Sequence, residues 1–503
     1  MDSELTRQPP EVLDLITSYL TYDEVSTLWC TNNRKLISMF SNSSGVRSIR
    51  FCLREHKNQR THWPTFHEQL HTLKSLTIES GFALGDPRAS VLSPAMENID
   101  AMPLSLTSLT VNFHGAELQI PELSRRLPSL LRLDVGGGGP EFGSRLQKDL
   151  VLPASLTYLR FRSNTSLADE IGPLLPAGLT YLAMPKNAHV SPEATKGLTQ
   201  LQVLVLAGPS VSRKNLHLLP STLEELDLQA NLTELDSGDL TLLPRSLTKL
   251  NLRANKQLKG RDLTDLPASL VSLAVCIEVV DADMGRLGRN LTHVTLNNCS
   301  KLTDEAISLL PRTLTGFDAW NFDHLSDAGI AMLPRGLKLL FLNAPNLTDE
   351  CAIHLPSTLT NLRILLAELS DVFLDTLHAP GLEHLELSGA VLTNASVPKI
   401  PRAVRFLHLA SAEIDPAALP HFPPLMRVCT LWGSRGWADV TLPSLLTLFI
   451  AADRSVTPLS GNKVPPTTKA KAPKARGFAS IPNQDPAAFS GIPHSGSFVM
   501  AAR

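Results

Sequence analysis

Four consecutive glycines, Gly136 to Gly139, with Gly143 close behind, are the first residues that suggest chemistry. A glycine-rich loop can fold its backbone N–H groups around a phosphate, but that use needs a following Gly-Lys-Ser/Thr and a long helix to open on. Neither follows, so the segment reads as an insertion between repeats. The pairs Asp169-Glu170, Asp304-Glu305 and Asp349-Glu350 could in principle share acid and base roles. They recur at one repeat offset, which marks them instead as helix-start residues that suit the helix dipole. The fifteen histidines are read as scattered, and Cys30, Cys52, Cys276, Cys299, Cys351 and Cys429 lie far apart with no C-x-x-C pair. The expectation is a non-enzyme with no catalytic set, no metal, no cofactor and no disulfide framework, in a reducing compartment.

Length and composition limit the elements that could position a site. At roughly 150 residues per domain, 503 residues suit about three domains or one repeat array. Hydrophobic residues make up 43% and aromatics only 5%, so the core must be aliphatic. With 46 Lys+Arg against 48 Asp+Glu, the chain is too balanced for nucleic acid or an anionic membrane as a whole-chain partner. Residues 1–10 lack the apolar run of a signal peptide, and the sequons at Asn231, Asn290 and Asn346 arise because Leu-Thr recurs. The longest apolar stretch, about Leu445 to Ala452, is too short to span a bilayer. The expected compartment is the cytoplasm.

The dominant signal is a repeat, Leu-Pro-x-x-Leu-x-x-Leu-x-Leu. Pro220 is followed by Leu223, Leu226 and Leu228; Pro244 by Leu247, Leu250 and Leu252; Pro334 by Leu337, Leu340 and Leu342. The middle apolar residues run from Leu76 to Leu448 in seventeen units, mostly about 22–23 residues apart, and Val46, Ile49 and Phe51 suggest a degenerate earlier one. Leu-x-Leu has period two, which puts both leucines on one face of a short strand. Three positions beyond the strand stand Asn164, Asn187, Asn231, Asn255 and Cys299, side chains that could stack into a ladder serving the turn backbone. A further Leu turns inward, as at Leu167, Leu258, Leu302, Leu325 and Leu347, and the return segments suit about two helical turns before proline stops them.

These units resemble leucine-rich repeats over about residues 46–452, and Leu296-Asn-Asn-Cys299-Ser-Lys-Leu302-Thr-Asp-Glu-Ala resembles the cysteine-containing subtype. Its units are usually longer than these. The resemblance implies an α/β solenoid with a parallel concave sheet, a surface that most often binds other proteins.

Residues 1–45 do not follow the repeat. Val12, Leu13, Leu15, Ile16, Tyr19 and Leu20 form a helical stripe after Pro9 and Pro10, and second and third short helices are expected near Asp23 and Arg34. Gln8-Pro9-Pro10-Glu11-Val12-Leu13 and Ile16-Thr-Ser-Tyr19-Leu20 resemble the F-box, the three-helix module that docks onto the Skp-type adaptor of cullin–RING ubiquitin ligases. Gln8 stands where the family has Leu. The resemblance implies adaptor contact, or a place in the module's small core, for Pro9, Leu13, Ile16, Leu20, Val25 and Leu28, with cullin as a further partner. A plain cap on the first repeat would show the same stripe. Two functions follow: a ligase substrate receptor, or an interaction scaffold or inhibitor with no ligase link.

Residues 453–503 are rich in Pro, Ser and Gly, with Lys463, Lys469, Lys471, Lys474 and Arg476 among few acids, and are expected to be a disordered tail; Lys469 to Arg476 reads first as a solvated linker, with a nuclear-targeting or anionic-surface patch as the alternative. Strand alternation predicts the concave residues. A basic-aromatic stretch falls at Tyr158, Arg160, Arg162 and Tyr181, an acidic one at Glu225 and Asp227, and a cationic one at Lys249 and Arg253. Toward the C-terminal end the same positions hold Trp320, Leu339, Phe341, Leu365, Phe406, Trp432 and Phe449, an expected exposed apolar patch for an unknown protein substrate.

Overall fold

The computed structural model describes residues 48–53, 74–80, 104–112, 123–136, 151–162, 167–185, 189–206, 211–228, 235–253, 257–410, 413–432, 447–451 and 456–459. The F-box-like residues Pro9, Leu13, Ile16, Leu20, Val25 and Leu28 lie outside them, as do Asn164, Asn187, Asn231 and Asn255.

One 19-stranded sheet runs through the chain. From Ser48–Leu53 to Thr447–Ala451 every strand pairs in parallel with the strands just before and after it in sequence. The register is strict: Leu226 stands opposite Leu250, Leu250 opposite Leu273, Leu273 opposite Val294, and so on through Phe317 and Leu340. This is a leucine-rich repeat solenoid with parallel strands and short return helices. Ile49 faces Leu76 in the same register, so the degenerate first unit contributes a strand. The strand Val456–Leu459 closes the edge antiparallel to Thr447–Ala451, so the segment expected to be tail from 453 onward first adds a strand.

Alternation sets the core. In Lys249–Leu252 and Tyr158–Phe161 the even positions are buried and the odd ones half-buried. Among the described residues, buried leucines from Leu76 to Leu431 join one continuous core, Leu247, Leu250, Leu252 and Leu258 in a single repeat, for example. Each fully buried leucine contributes roughly 1.5–3 kcal/mol relative to exposure. No helix among the described residues is long and apolar enough to cross a membrane.

The return segments run from one to two helical turns, the longer ones matching the two turns expected. Asp169–Leu174 is a six-residue 3-10 helix, Leu216–Leu218 has three residues, and Asp304–Ser308 is a five-residue α-helix. A repeat of about 22 residues that must also form a strand and two turns leaves little chain for the return, and 3-10 geometry spans more length per residue.

Polar side chains join neighbouring repeats. In Pro-x-Ser/Thr-Leu the hydroxyl donates to two carbonyls of the preceding repeat: Ser269 to Arg245 and Leu247 at 2.8 and 2.6 Å, Thr313 to Arg289 and Leu291 at 2.9 and 2.6 Å. The Leu-Thr threonines do likewise, as Thr248 does to Glu224. At the expected ladder position Cys299 is fully buried, and its backbone N–H, not an amide side chain, donates to the Trp320 carbonyl at 3.0 Å. Phe322, Ala344, Ala367 and Ala390 are buried at corresponding turns. In this half, apolar groups fill the turn, and the backbone N–H groups of Phe322 and Ala344 reach the next repeat.

Candidate partner-binding face

Residues that alternate with the buried leucines form three columns along the concave face, because strands in strict register stack like upon like about 4.8 Å apart. The middle column, from Thr110, reads Asp134, Arg160, Ala183, Val205, Asp227, Asn251, Ala274, Thr295, Asp318, Phe341, Arg363, Glu386 and His408.

Toward the N-terminal end the Arg132 guanidinium lies 3.5 Å from the centroid of the Tyr158 ring, and Tyr158 stacks on Tyr181 with centroids 4.0 Å apart and 13° between planes. Arg162 holds the buried Asp134 through Nε and Nη2, each at 2.8 Å. Burial, and then Tyr158, push the Tyr181 phenol above its ordinary range, so it remains protonated. Further along, Lys249 pairs with Glu225 at 3.1 Å and Asp227 is buried.

The centre of the face is built around Asp318. Burial pushes its carboxyl up to about 7 in spite of Arg253 and Arg363 and a hydrogen bond from Trp320. Its Oδ1 has no hydrogen-bond partner, nor has Oδ1 of Asn297, just past the preceding strand His293–Leu296. Trp320 and Phe341 meet edge to face with centroids 4.5 Å apart, Arg363 lies 4.6 Å over the Phe341 ring, and Arg363 forms an ion pair with Glu386 in which its Nη2 donates a hydrogen bond to Oε1 at 2.9 Å. His384 stacks on Phe406 at 4.3 Å. Burial lowers the His293, His384 and His408 imidazoles, which are therefore neutral at pH 7.

This arrangement corrects the expectation of an exposed apolar patch. Phe341 is buried at 7% exposure, and Trp320, Leu339, Leu365 and Phe406 are half-buried. On a concave sheet neighbouring columns crowd together, so Arg363 and Trp320 fold over the ring that alternation points outward. Trp432 and Phe449 occupy the outer and middle columns by register, and their side chains lie outside the described ones. The apolar residue that is exposed here is Leu366, 58% exposed and at φ 67°, next to Leu365 at the rim. Sequence reasoning missed it because nothing local marks a left-handed leucine.

No group of three or more His, Cys, Asp or Glu that could hold a metal occurs among the described residues. His67-Glu68-Gln69-Leu70-His71, a His-Glu-x-x-His spacing that reading the histidines as scattered passes over, lies outside them. Burial pushes the Cys351 thiol up to about 12 and the Cys299 and Cys429 thiols higher still, so these cysteines are inert core groups.

No protein-family model matches the chain. No curated protein matches it. Among solved structures, it is similar to that of the Rad7 and Elc1 complex in yeast, at 18% identity over 71% of this chain and 90% of that one, TM-score 0.43. It is also similar to a leucine-rich repeat protein of Leptospira interrogans, at 17% identity over 82% and 94%, TM-score 0.38. A third similar structure is CroV588, a circular leucine-rich repeat protein, at 17% identity over 83% and 67%, TM-score 0.37.

Proposed function

We propose that this chain is the substrate-recognition subunit of a cullin–RING ubiquitin ligase. Residues 1–45 hold a Skp-type adaptor through Pro9, Leu13, Ile16, Leu20, Val25 and Leu28, and the concave face holds the protein to be ubiquitinated. The ligase half rests on the F-box-like opening that directly precedes the repeats. The substrate half rests on one observation: a buried carboxylate oxygen of Asp318 without a hydrogen-bond partner, set among Trp320, Phe341 and two arginines. Leaving such a group unpaired costs about 1–3 kcal/mol, and a partner that donates a hydrogen bond to it would remove that cost. Trp320, Leu339, Leu365 and Phe406, with Trp432 and Phe449 in the same columns, are the proposed contacts, Phe341 supports Trp320 from beneath, and the strained, exposed Leu366 joins them.

The test is crosslinked capture from cells by the wild-type chain and by Trp320→Ala with Phe341→Ala. The proposal expects the variant to keep an adaptor and lose other partners. Retention of every partner would place the binding surface elsewhere.

A further inference from the structure

A formal charge of -2 hides an uneven distribution. On the rim where the chain turns into each strand, Pro244, Pro267, Gly288, Pro311 and Pro334 are followed in successive units by Arg245, Ala268, Arg289, Arg312 and Arg335. The turns stack in register: Ser269 donates its hydroxyl to the Arg245 carbonyl, Asn290 its amide to that of Ala268, Thr313 its hydroxyl to that of Arg289, and Thr358 its hydroxyl to that of Arg335. The arginines therefore form one exposed row, with exposed Lys338 beside it at the start of its strand.

Among the described residues, no carboxylate pairs with Arg245, Arg289, Arg312, Arg335 or Lys338. Elsewhere in this part of the chain the cations are paired, Lys249 with Glu225, Lys259 and Lys301 with Glu278, and Lys399 with Asp375. Arg245, Arg312 and Arg335 donate to carbonyls at helix ends, those of Thr241, of Ser308 and Met332, and of Ala331 and His354. Such bonds fix a guanidinium without neutralising it and leave it further N–H donors. The cause lies in the fold: the short return helices all end on this rim, where cations suit the dipole, while Asp304, Glu305, Asp349 and Glu350 begin them at the other. Half-buried Asp265 is the acid at the helix ends along the row, and Glu224 and Glu383 bound it.

The rest of this rim is neutral. Leu242 and Leu309, each 39% exposed, stand three residues before Arg245 and Arg312, and exposed Val271 lies in the same column as Lys338. The hydroxyls of Ser246, Ser269 and Thr313 are each spent on two carbonyls of the preceding unit, and those of Thr248, Thr292 and Thr315 on one. No aromatic ring occupies these turns to stack a base. What remains for a partner is charge and aliphatic contact, with little that could read a particular sequence.

We infer that this rim rests on an anionic lipid surface, with the arginines and Lys338 on the headgroups and Leu242 and Leu309 at the acyl boundary. The contact leaves the concave face open, so it goes beyond the receptor reading and does not rest on it.

The measurement is sedimentation of the full chain with vesicles of phosphatidylserine and phosphatidylcholine in equal parts, and with vesicles of phosphatidylcholine alone. Binding to the first that weakens as salt rises, and none to the second, is expected. Arg289→Gln with Lys338→Gln removes side chains that bond nothing else among the described residues, so affinity should fall about tenfold or more with an unchanged circular dichroism spectrum. Lys259→Gln with Lys301→Gln, on the opposite rim, should bind like wild type. Leu242→Ser with Leu309→Ser should weaken vesicle binding at every salt concentration. No binding to the anionic vesicles would overturn the inference. Equal affinity of wild type and the Arg289 and Lys338 variant would also overturn it and assign the binding to the cations from Lys463 to Arg476. Tighter binding of a duplex oligonucleotide, unchanged by the leucine substitutions, would overturn it in favour of nucleic acid. No adaptor takes part, so failure of the ligase reading leaves this result standing.

Discussion

Asp304, the first residue of the helix Asp304–Ser308, accepts two hydrogen bonds from Ser326 of the next repeat, 2.8 Å from its backbone N–H and 2.5 Å from its hydroxyl. The same clamp joins Asp281 to Thr303, Asp327 to Thr348, Asp349 to Ser370 and Asp371 to Thr393. Several of these hydroxyls also cap their own helices, as Thr303 does by accepting from the Glu305 N–H. The Ser/Thr-Asp dipeptide is thus a link in both directions: the hydroxyl residue holds the repeat before it, the aspartate the repeat after.

Asp304→Ala should therefore cost about 1–2 kcal/mol, read as a lower urea midpoint, and should speed amide exchange in both joined repeats. Gly329 lies so close that an added Cβ would collide with Asp304 Oδ1. Gly329→Ala should destabilise the same joint, and the two substitutions together should cost less than their sum. Full additivity would mean that the clamp is not the shared element.

The clamps should also set acid sensitivity. Burial works against ionisation of Asp371, yet bonds from Thr393 and Ser396 hold its carboxyl below the usual range. Its contribution is complete above about pH 4 and disappears as pH falls further. Unfolding followed from pH 5 to pH 2 should show Asp371→Asn losing less stability than wild type.

Asp318 has the opposite sign. Its carboxyl, raised from 3.8 to about 7, keeps a proton in the folded chain that the unfolded chain releases. Stability from this group is greatest near pH 4 and declines as pH rises to 7. Asp318→Asn should gain about 2–3 kcal/mol relative to wild type on going from pH 5 to pH 8, measured by urea titration at each pH. A constant difference would show that the carboxyl titrates normally.

Leu366 adopts φ 67° at a strand exit where the next repeat places Gly389 at φ 95° and the repeat two before places Asn321 at φ 57°. A left-handed leucine costs roughly 1–2 kcal/mol, and asparagine tolerates the region better. Leu366→Asn should raise stability by about 0.5–1 kcal/mol and weaken partner capture. A stabilised variant with undiminished capture would remove Leu366 from the face.

The solenoid was legible because its two signals, leucine every second residue within a strand and about every 22 residues along the chain, come straight from burial on a pleated sheet. The clamps were not, since Leu302-Thr-Asp-Glu is also how an isolated helix begins, and only stacking reveals that Asp304 faces Ser326. Alternation placed Phe341 on the concave side correctly, but it carries no information on curvature, so the cover from Arg363 and Trp320 was missed. Asp318 looked like one more solvent-facing acid; its neighbours Arg253 and Arg363 are three and two strands away.

The central claim, that this chain links a ligase adaptor to a concave substrate face, is tested most directly by titrating a purified Skp-type adaptor into the full chain by calorimetry. The account predicts saturable one-to-one binding that Leu13→Asp with Ile16→Asp abolishes, because two charges would be forced into an apolar contact, and that Trp320→Ala with Phe341→Ala leaves unchanged. A wild-type chain that binds no adaptor would contradict the ligase claim and leave an interaction scaffold whose first 45 residues only cap the solenoid.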